Sequence, residues 1–285
     1  PKYIDSDTNG DYAIAVPLGW DGTITPMRSG YRFTPINRSY TNIQSDQQNQ
    51  DFIAERVYTI AGNAGIGGAQ LSYLENGSIK TVTAFSNGNY SFQVPENWSG
   101  TVTPSKANVT FMPENKSYTN VASDQYSQNY LATIIVINTN NSGAGSLRQA
   151  IEDTLSGGII KFDPVLAGQT IILISQININ QNMTIDGSGL DPRVAISGNN
   201  ADRIFNIGSF GLNYTVNIHS LILKDGLMNG TNSSMYGGAI RIEPNTDLTM
   251  SNMVFTNNRA YSGGAIFGNS PQITIENSLF SENLS

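Results

Sequence analysis

The chain reads as all-β: tandem β-sandwich modules followed by a helix-capped right-handed parallel β-helix. Two repeats and one helix carry that reading. Gly237-Gly238-Ala239-Ile240 returns as Gly263-Gly264-Ala265-Ile266, and Phe255-Thr256-Asn257-Asn258 returns at almost the same spacing as Phe280-Ser281-Glu282-Asn283. A recurring period in this range means one structural unit stacked on copies of itself. In the first half a longer repeat runs at a constant offset without a gap. Between the two lies a single amphipathic segment, at residues 146–156.

The modules come first. Asn9-Gly10-Asp11-Tyr12, Val16-Pro17 and Trp20 reappear as Asn87-Gly88-Asn89-Tyr90, Val94-Pro95 and Trp98. Farther on, Ser39-Tyr40-Thr41-Asn42 and Ser45-Asp46-Gln47 return as Ser117-Tyr118-Thr119-Asn120 and Ser123-Asp124-Gln125. Residues 1–54 and 55–132 are therefore two copies of one module. The first is expected to be N-terminally incomplete, because the opening section at 57–73 has no counterpart in it. Short period-2 runs, punctuated by Gly, Asn and Pro every eight to twelve residues, predict a sandwich. Asn9-Gly10, Asn76-Gly77 and Asn87-Gly88 supply the positive-φ residues that hairpin turns need. Trp20 and Trp98 read as packing residues. Neither junction, at 52–59 or 130–137, holds a Gly/Ser/Pro-rich spacer, so a stiff stalk is expected rather than a flexible string.

The helix follows. Ser146 with Gln149 three residues on fits a capping box; Leu147, Ala150, Ile151 and Leu155 line one face, and Gly157-Gly158 ends it. It is placed to cover the open end of a coil over residues 133–285, itself expected to be C-terminally incomplete. In that coil, alternation puts Val216, Ile218, Leu248, Met250, Ile273 and Ile275 inward. The Gly-Gly-Ala-Ile segments form the next face, where glycine permits close approach of backbones. Asn200, Asn258 and Asn283 are expected at left-handed corners, and residues 229–236 as an insertion in one coil.

Composition narrows the function. Charged residues make up 13% of the chain and the net charge is −7, with 11 acidic and 8 basic side chains before Thr133 against 11 and 7 after it. No basic stripe exists to neutralise phosphates, which argues against a nucleic-acid partner. There is no cysteine, hence no disulfide and no thiolate metal site, and no apolar run of membrane-spanning length. With a single histidine, His219, a catalytic triad, a zinc site and a P-loop are not expected.

These motifs resemble known families. The Gly88–Pro95 pattern G-x-Y-x-F-x-V-P is similar to immunoglobulin-like or carboxypeptidase-regulatory-like stalk domains of bacterial surface proteins. Gly145-Ser146-Leu147-Arg148-Gln149-Ala150-Ile151, Ile185-Asp186-Gly187-Ser188-Gly189 and the paired GGA-I and F-x-x-N motifs resemble bacterial right-handed parallel β-helix surface proteins, with the repeat of polymorphic outer-membrane proteins. The resemblance implies surface display, adhesion or a structural role. A helix motif of this kind often carries Cys where Ala144-Gly145 stands.

A rival reading is a pectate-lyase-like polysaccharide lyase or hydrolase, whose sites cluster carboxylates with an Arg or Lys base. Its candidates are Asp186, Asp191, Arg193, Asp202, Arg203, Lys224 and Asp225, which fall at no evident common face. Asp5, Asp7, Asn9 and Asp11 form the one calcium candidate, with oxygen ligands at alternate positions; Val16 stands where the loop would need Glu, and a hairpin turn is the competing reading. N-x-S/T triplets at Asn37, Asn97, Asn115, Asn182 and Asn232 are glycosylation acceptors if the source modifies its surface. The expectation is a non-enzymatic, extracellular cell-surface protein forming a stalk or fibre. Its partners would be further copies, other surface proteins or surface glycans; a glycan-binding module is the alternative. No cofactor is required, calcium being the one ion considered.

Overall fold

The computed structural model describes residues 2–209, 211–230, 235–268 and 272–285. Among the described residues the chain is nearly all β, with an α-helix at Leu147–Asp153 and a 3-10 turn at Pro164–Leu166. By internal contacts it divides into two compact units, residues 1–60 with 93–99 and 119–125, and residues 61–92 with 100–118 and 126–285.

The repeat in the first half is a repeat of structure. Strands Trp20–Ile24, Tyr31–Thr34 and Arg38–Ile43 recur as Trp98–Ser105, Val109–Met112 and Lys116–Val121. Side-chain bonds recur with them. Tyr40 donates to Gln50 Oε1 at 3.1 Å as Tyr118 does to Gln128 Oε1 at 3.2 Å, and the phenols of Tyr12 and Tyr90 reach the carbonyls of Gln50 and Gln128. Burial differs between the copies. Tyr90, Phe92, Val94 and Trp98 are buried, whereas the aligned Tyr12, Ile14, Val16 and Trp20 are half-buried. The reason lies in the sheet. Trp98–Ser105 pairs with Gln70–Glu75 in a four-stranded sheet, while Trp20–Ile24 has Arg38–Ile43 as its one partner strand among the described residues. The Gln70–Glu75/Ser78–Thr83 hairpin turns on Asn76 and Gly77, both at positive φ (49° and 75°). At Asn9-Gly10 and Asn87-Gly88 the glycine alone takes positive φ, so these two Asn-Gly pairs are not the two-residue turn expected.

The junction after the second module is a shared strand. Leu131–Val136 runs antiparallel to Val109–Met112 on one edge, with Leu131 opposite Met112, and parallel to Gly158–Phe162 on the other, with Ile134 opposite Ile160. From there the chain coils. Strands Gly158–Phe162, Met183–Asp186, Tyr214–His219, Thr246–Ser251 and Ile273–Glu276 stack parallel and in register as a first face. A second face is built from Thr170–Ile172, Ala195–Ser197, Ile222–Lys224, Val254–Thr256 and Leu279–Ser281. Ile177–Ile179, Phe205–Ile207, Ile240–Ile242 and Ile266–Gly268 make the third. This is a parallel β-helix.

Its interior is built from in-register rows. Ile134, Ile160, Ile185, Ile218, Met250 and Ile275 form one row on the first face, and Ile171, Ile196, Leu223, Phe255 and Phe280 one on the second. Most of these side chains are fully enclosed; Ile275 and Phe280, in the last described coil, are 38% and 45% exposed. Expected inward residues Val216, Ile218, Leu248 and Met250 are buried, and Ile273 is 36% exposed for the same reason as Ile275.

The helix spans Leu147–Asp153, shorter at its C-terminal end than the expected 146–156, because Thr154 already has extended backbone (φ −66°, ψ 131°). Ser146 is the N-cap, accepting from the Gln149 N–H at 3.2 Å. Gln149 does not close the box: its amide donates to Asp153 Oδ1 at 2.9 Å. Arg148 ties the helix to the first coil through the carbonyls of Ser175 (2.6 Å) and Gln176 (2.9 Å). Gln181 Nε2 donates to the carbonyls of Ile151 and Thr154.

A tyrosine cluster in the second module yields a pH prediction. Tyr90 and Tyr130 are buried with ring centroids 6.2 Å apart, and the Tyr130 phenol donates to the Val102 carbonyl at 3.1 Å. Burial raises the pKa of all three of Tyr90, Tyr118 and Tyr130, that of Tyr118 to about 12. A raised native pKa stabilises the fold below the unfolded-state value of about 10 and loses that contribution as pH rises through the native value. Unfolding free energy is expected to fall steadily from about pH 10 upward, with a shallower fall in Tyr130→Phe. Urea melts between pH 8 and 11.5 measure both slopes.

Candidate functional site

Corners decide what side chains the coil can display. Ser220, Asn252 and Asn277 take left-handed backbone (φ 57°, 54° and 49°) between the first and second faces. Asp225, Asn257 and Glu282 do so after the second face (φ 55°, 54° and 57°). Asn200 is left-handed as expected, at 53°. Asn258 and Asn283 are not: the corner residue is the one before each, and their side chains serve another purpose.

Each of those two asparagines straps its coil to the preceding one. Asn258 Oδ1 accepts from the Gly226 N–H at 2.9 Å, and its Nδ2 donates to the Leu223 carbonyl at 3.0 Å. Asn283 repeats this one coil on: Oδ1 accepts from the Asn258 N–H at 3.1 Å and Nδ2 donates to the Phe255 carbonyl at 2.9 Å. The two carboxamides also bond each other at 2.9 Å. Asn258 is fully buried. Glycines allow this approach: a Cβ on Gly226 would stand 3.0 Å from Asn258 Oδ1, one on Gly238 would stand 2.2 Å from the Gly264 carbonyl oxygen, and Gly237 and Gly263 take φ of +77° and +65°.

Arg203, a candidate base on the lyase reading, is 2% exposed and holds the same corner. Its Nε donates to the Gly237 carbonyl at 2.9 Å, Nη2 to that of Tyr236 at 2.8 Å and Nη1 to Gln176 Oε1 at 2.8 Å. Burial, with Arg241 nearby, lowers its pKa to about 10, so it stays a cation at neutral pH and cannot accept a proton there. Asp202 accepts from the Gln176 N–H and the Arg203 N–H. Asp225 accepts from Ser197 at 3.0 Å and from Asn257 at 2.7 Å, with Lys224 Nζ at 4.0 Å. Asp191 is exposed and Arg193 half-buried. These candidates occupy several corners, and Asp186, Asp202 and Arg203 bond backbone there.

One grouping follows from the repeated segments, in which His219 aligns with Ser251 and Glu276 at outward positions beside a strand. Lys161, Asp186, His219, Ser251 and Glu276 fall in one outward row of the first face. His219 Nδ1 lies 2.8 Å from Ser251 Oγ, so counting histidines does not dispose of an Asp-His-Ser alignment. Asp186 is engaged elsewhere, by the Ser188 N–H at 2.8 Å and Lys161 Nζ at 3.5 Å. Burial works to raise its pKa, but these two partners prevail and lower it. The pair His219–Ser251 has the geometry for proton exchange on a flat sheet, where the backbone donors an oxyanion needs are committed to the ladder. The repeat places His219, Ser251 and Glu276 in this row, and the register adds Lys161 and Asp186 to it.

At the calcium candidate, Asp7 Oδ1 accepts from the Asn9 N–H at 2.8 Å and the Asp11 N–H at 3.0 Å. The backbone pair Asp7 N–H to Asp11 carbonyl, 2.9 Å, recurs as Phe85 N–H to Asn89 carbonyl at 2.8 Å. The same turn thus forms where no carboxylate stands. Among the described residues no group of three or more His, Cys, Asp and Glu is placed to hold a metal ion. Asn37, Asn97, Asn115 and Asn182 are exposed, although Asn182 Oδ1 accepts from the Thr215 N–H at 2.8 Å. Asn232, and the part of the expected insertion at 231–234, lie outside the described residues.

A cleft of about 320 Å³ lies beside the helix, with Ile66, Val109, Ile134 and Ala150 as apolar lining and Lys106 and Asp153 among its polar groups. Lys106 Nζ is committed to the Gly67 carbonyl at 2.8 Å. No helix among the described residues is long and apolar enough to cross a membrane. No family model, curated protein or solved structure matches the chain.

The strap predicts a mutational cost. Asn258→Ala leaves the Gly226 N–H buried and unpaired, at roughly 1–3 kcal/mol, and takes one further bond each from the Leu223 carbonyl and the Asn283 carboxamide. Equilibrium urea unfolding is expected to show a total loss of about 2–5 kcal/mol, against less than about 0.5 kcal/mol for Asn37→Ala on the exposed surface.

Proposed function

We propose that this chain is part of an extracellular, cell-surface structural or adhesive protein. In it, stiff β-sandwich modules carry a helix-capped coil as a stalk or fibre. The observation that carries the reading is Leu131–Val136, hydrogen-bonded along both edges to strands of opposite sense with no slack residues between module and coil. A tensile load entering the module passes into the coil through backbone ladders, not through a tether. The aligned strand of the first copy, Ile53–Asn63, leaves its module in the same way, antiparallel to Tyr31–Thr34 with Ile53 opposite Thr34. The motif resemblance to bacterial surface stalks and polymorphic outer-membrane repeats agrees with this, as does a surface low in charge.

The reading is non-enzymatic. Arg203, Asp202 and Asp225 are committed to corner backbone or neighbouring side chains, which is what a scaffold needs and what a lyase site cannot spare. Partners on this reading are further copies, other surface proteins or surface glycans.

Pulling the chain between its termini in a force spectrometer tests the mechanical claim. Residues 130–137 are expected to yield only together with the coil's first face. An early, low-force extension confined to that junction would overturn it. Antibody against the chain should also label intact, unpermeabilised source cells; label confined to lysates would remove the surface assignment.

A further inference from the structure

Three aromatic rings gather on the outside of the coil. Tyr236 and Tyr261, each just ahead of its Gly-Gly-Ala-Ile segment, have ring centroids 6.1 Å apart and planes 20° from parallel. Phe267 stands edge-on to Tyr236 at 4.8 Å and 65°. The rings add little to the core: Tyr261 is 63% exposed, and Tyr236 and Phe267 are half-buried. The backbone beneath them is held firmly. The Tyr236 carbonyl takes a bond from buried Arg203, the Gly237 N–H donates to the Ser262 carbonyl at 3.0 Å, and Phe267 is in register with Arg241. Aromatic side chains on a fixed backbone lose little conformational freedom when something binds them.

The rings have a polar border. Arg241 Nη2 lies 3.0 Å from Glu243 Oε1, both half-buried. One strand back in the same row, Asn206 keeps a buried carboxamide oxygen with no hydrogen-bond partner.

Size and chemistry then select the occupant. A stable protein interface buries on the order of 1,000 Å² or more, far beyond three rings. What fits is a ligand with an apolar face and a polar edge: the C–H face of a pyranose against Tyr261 and Tyr236, its hydroxyls toward Arg241 and Glu243. We propose that Tyr236, Tyr261 and Phe267, bordered by Arg241 and Glu243, form a glycan-binding platform for hexose-containing polysaccharides. The platform goes beyond the stalk reading and does not require it, since a coil of any mechanical strength would present the same rings.

The test titrates cellohexaose, maltohexaose and chitohexaose into the whole chain by calorimetry. At least one is expected to bind. Tyr261→Ala should weaken that binding about tenfold or more, and Tyr261→Phe should keep it within about threefold, because the ring and not the phenol carries the stacking. Since Tyr261 is exposed, both variants should melt with the parent. Three oligosaccharides that fail to bind, or an affinity unmoved by Tyr261→Ala, would overturn the platform. So would a Tyr261→Ala variant whose one defect, by sedimentation, is lost self-association, because that outcome assigns the rings to a protein contact.

Discussion

In-register parallel pairing between successive coils is the constraint on which the second half of the molecule rests. A slip by a single position would move Ile185, Ile218 and Met250 from the interior to solvent and bring Asp186, His219 and Ser251 inside. Register is held from two directions. Apolar rows favour it through burial, and Asn258 and Asn283 fix it through geometry, since each carboxamide must meet a particular N–H and a particular carbonyl in the coil before. Burial alone would tolerate a range of hydrophobic shapes. A buried carboxamide tolerates one arrangement, because a missed bond leaves an unpaired polar group in the interior.

Much of this is legible in the residues. The constant offset between the two halves of the N-terminal repeat announces two copies of one module, and the recurrence extends to tyrosine–glutamine bonds at the same places. Alternation within 215–218 and 247–250 identifies the inward rows, because a strand repeats every second position and the period needs no knowledge of neighbours. Asn258 and Asn283 stand out in the motif, but their task does not. Asparagine tolerates left-handed backbone, so a corner is the local expectation. Their actual role depends on Gly226, Leu223 and Phe255, which reach them only across the stack. The repeat sets His219 level with Ser251, but the bond between their side chains shows only once the two coils are stacked. Arg203 resembles a catalytic candidate because a lone arginine in a polar stretch carries no mark of burial.

Interior packing and outer side chains divide the coil between them. Small residues and asparagines face inward at the corners, where close approach of backbones leaves room for little else. The aromatic rings stand beside those same glycines. A Gly-Gly pair that lets one coil settle onto the next also sets two tyrosines at the spacing of consecutive coils. Tight packing and a repeated outer pattern are then one property seen from two sides.

The strand Leu131–Val136 also bears on how such a chain can be cut and recombined. Severing it at the nominal module boundary would part Thr133 and Ile134 from Thr110 and Val109, leaving on each fragment an edge that seeks an antiparallel neighbour, while the parallel pairing to Gly158–Phe162 stays with the coil. Grafting this coil onto another carrier therefore means transplanting the bridging segment with it, along with an acceptor edge to receive it. Shuffling by simple fusion at residue 132 would yield sticky, aggregation-prone pieces.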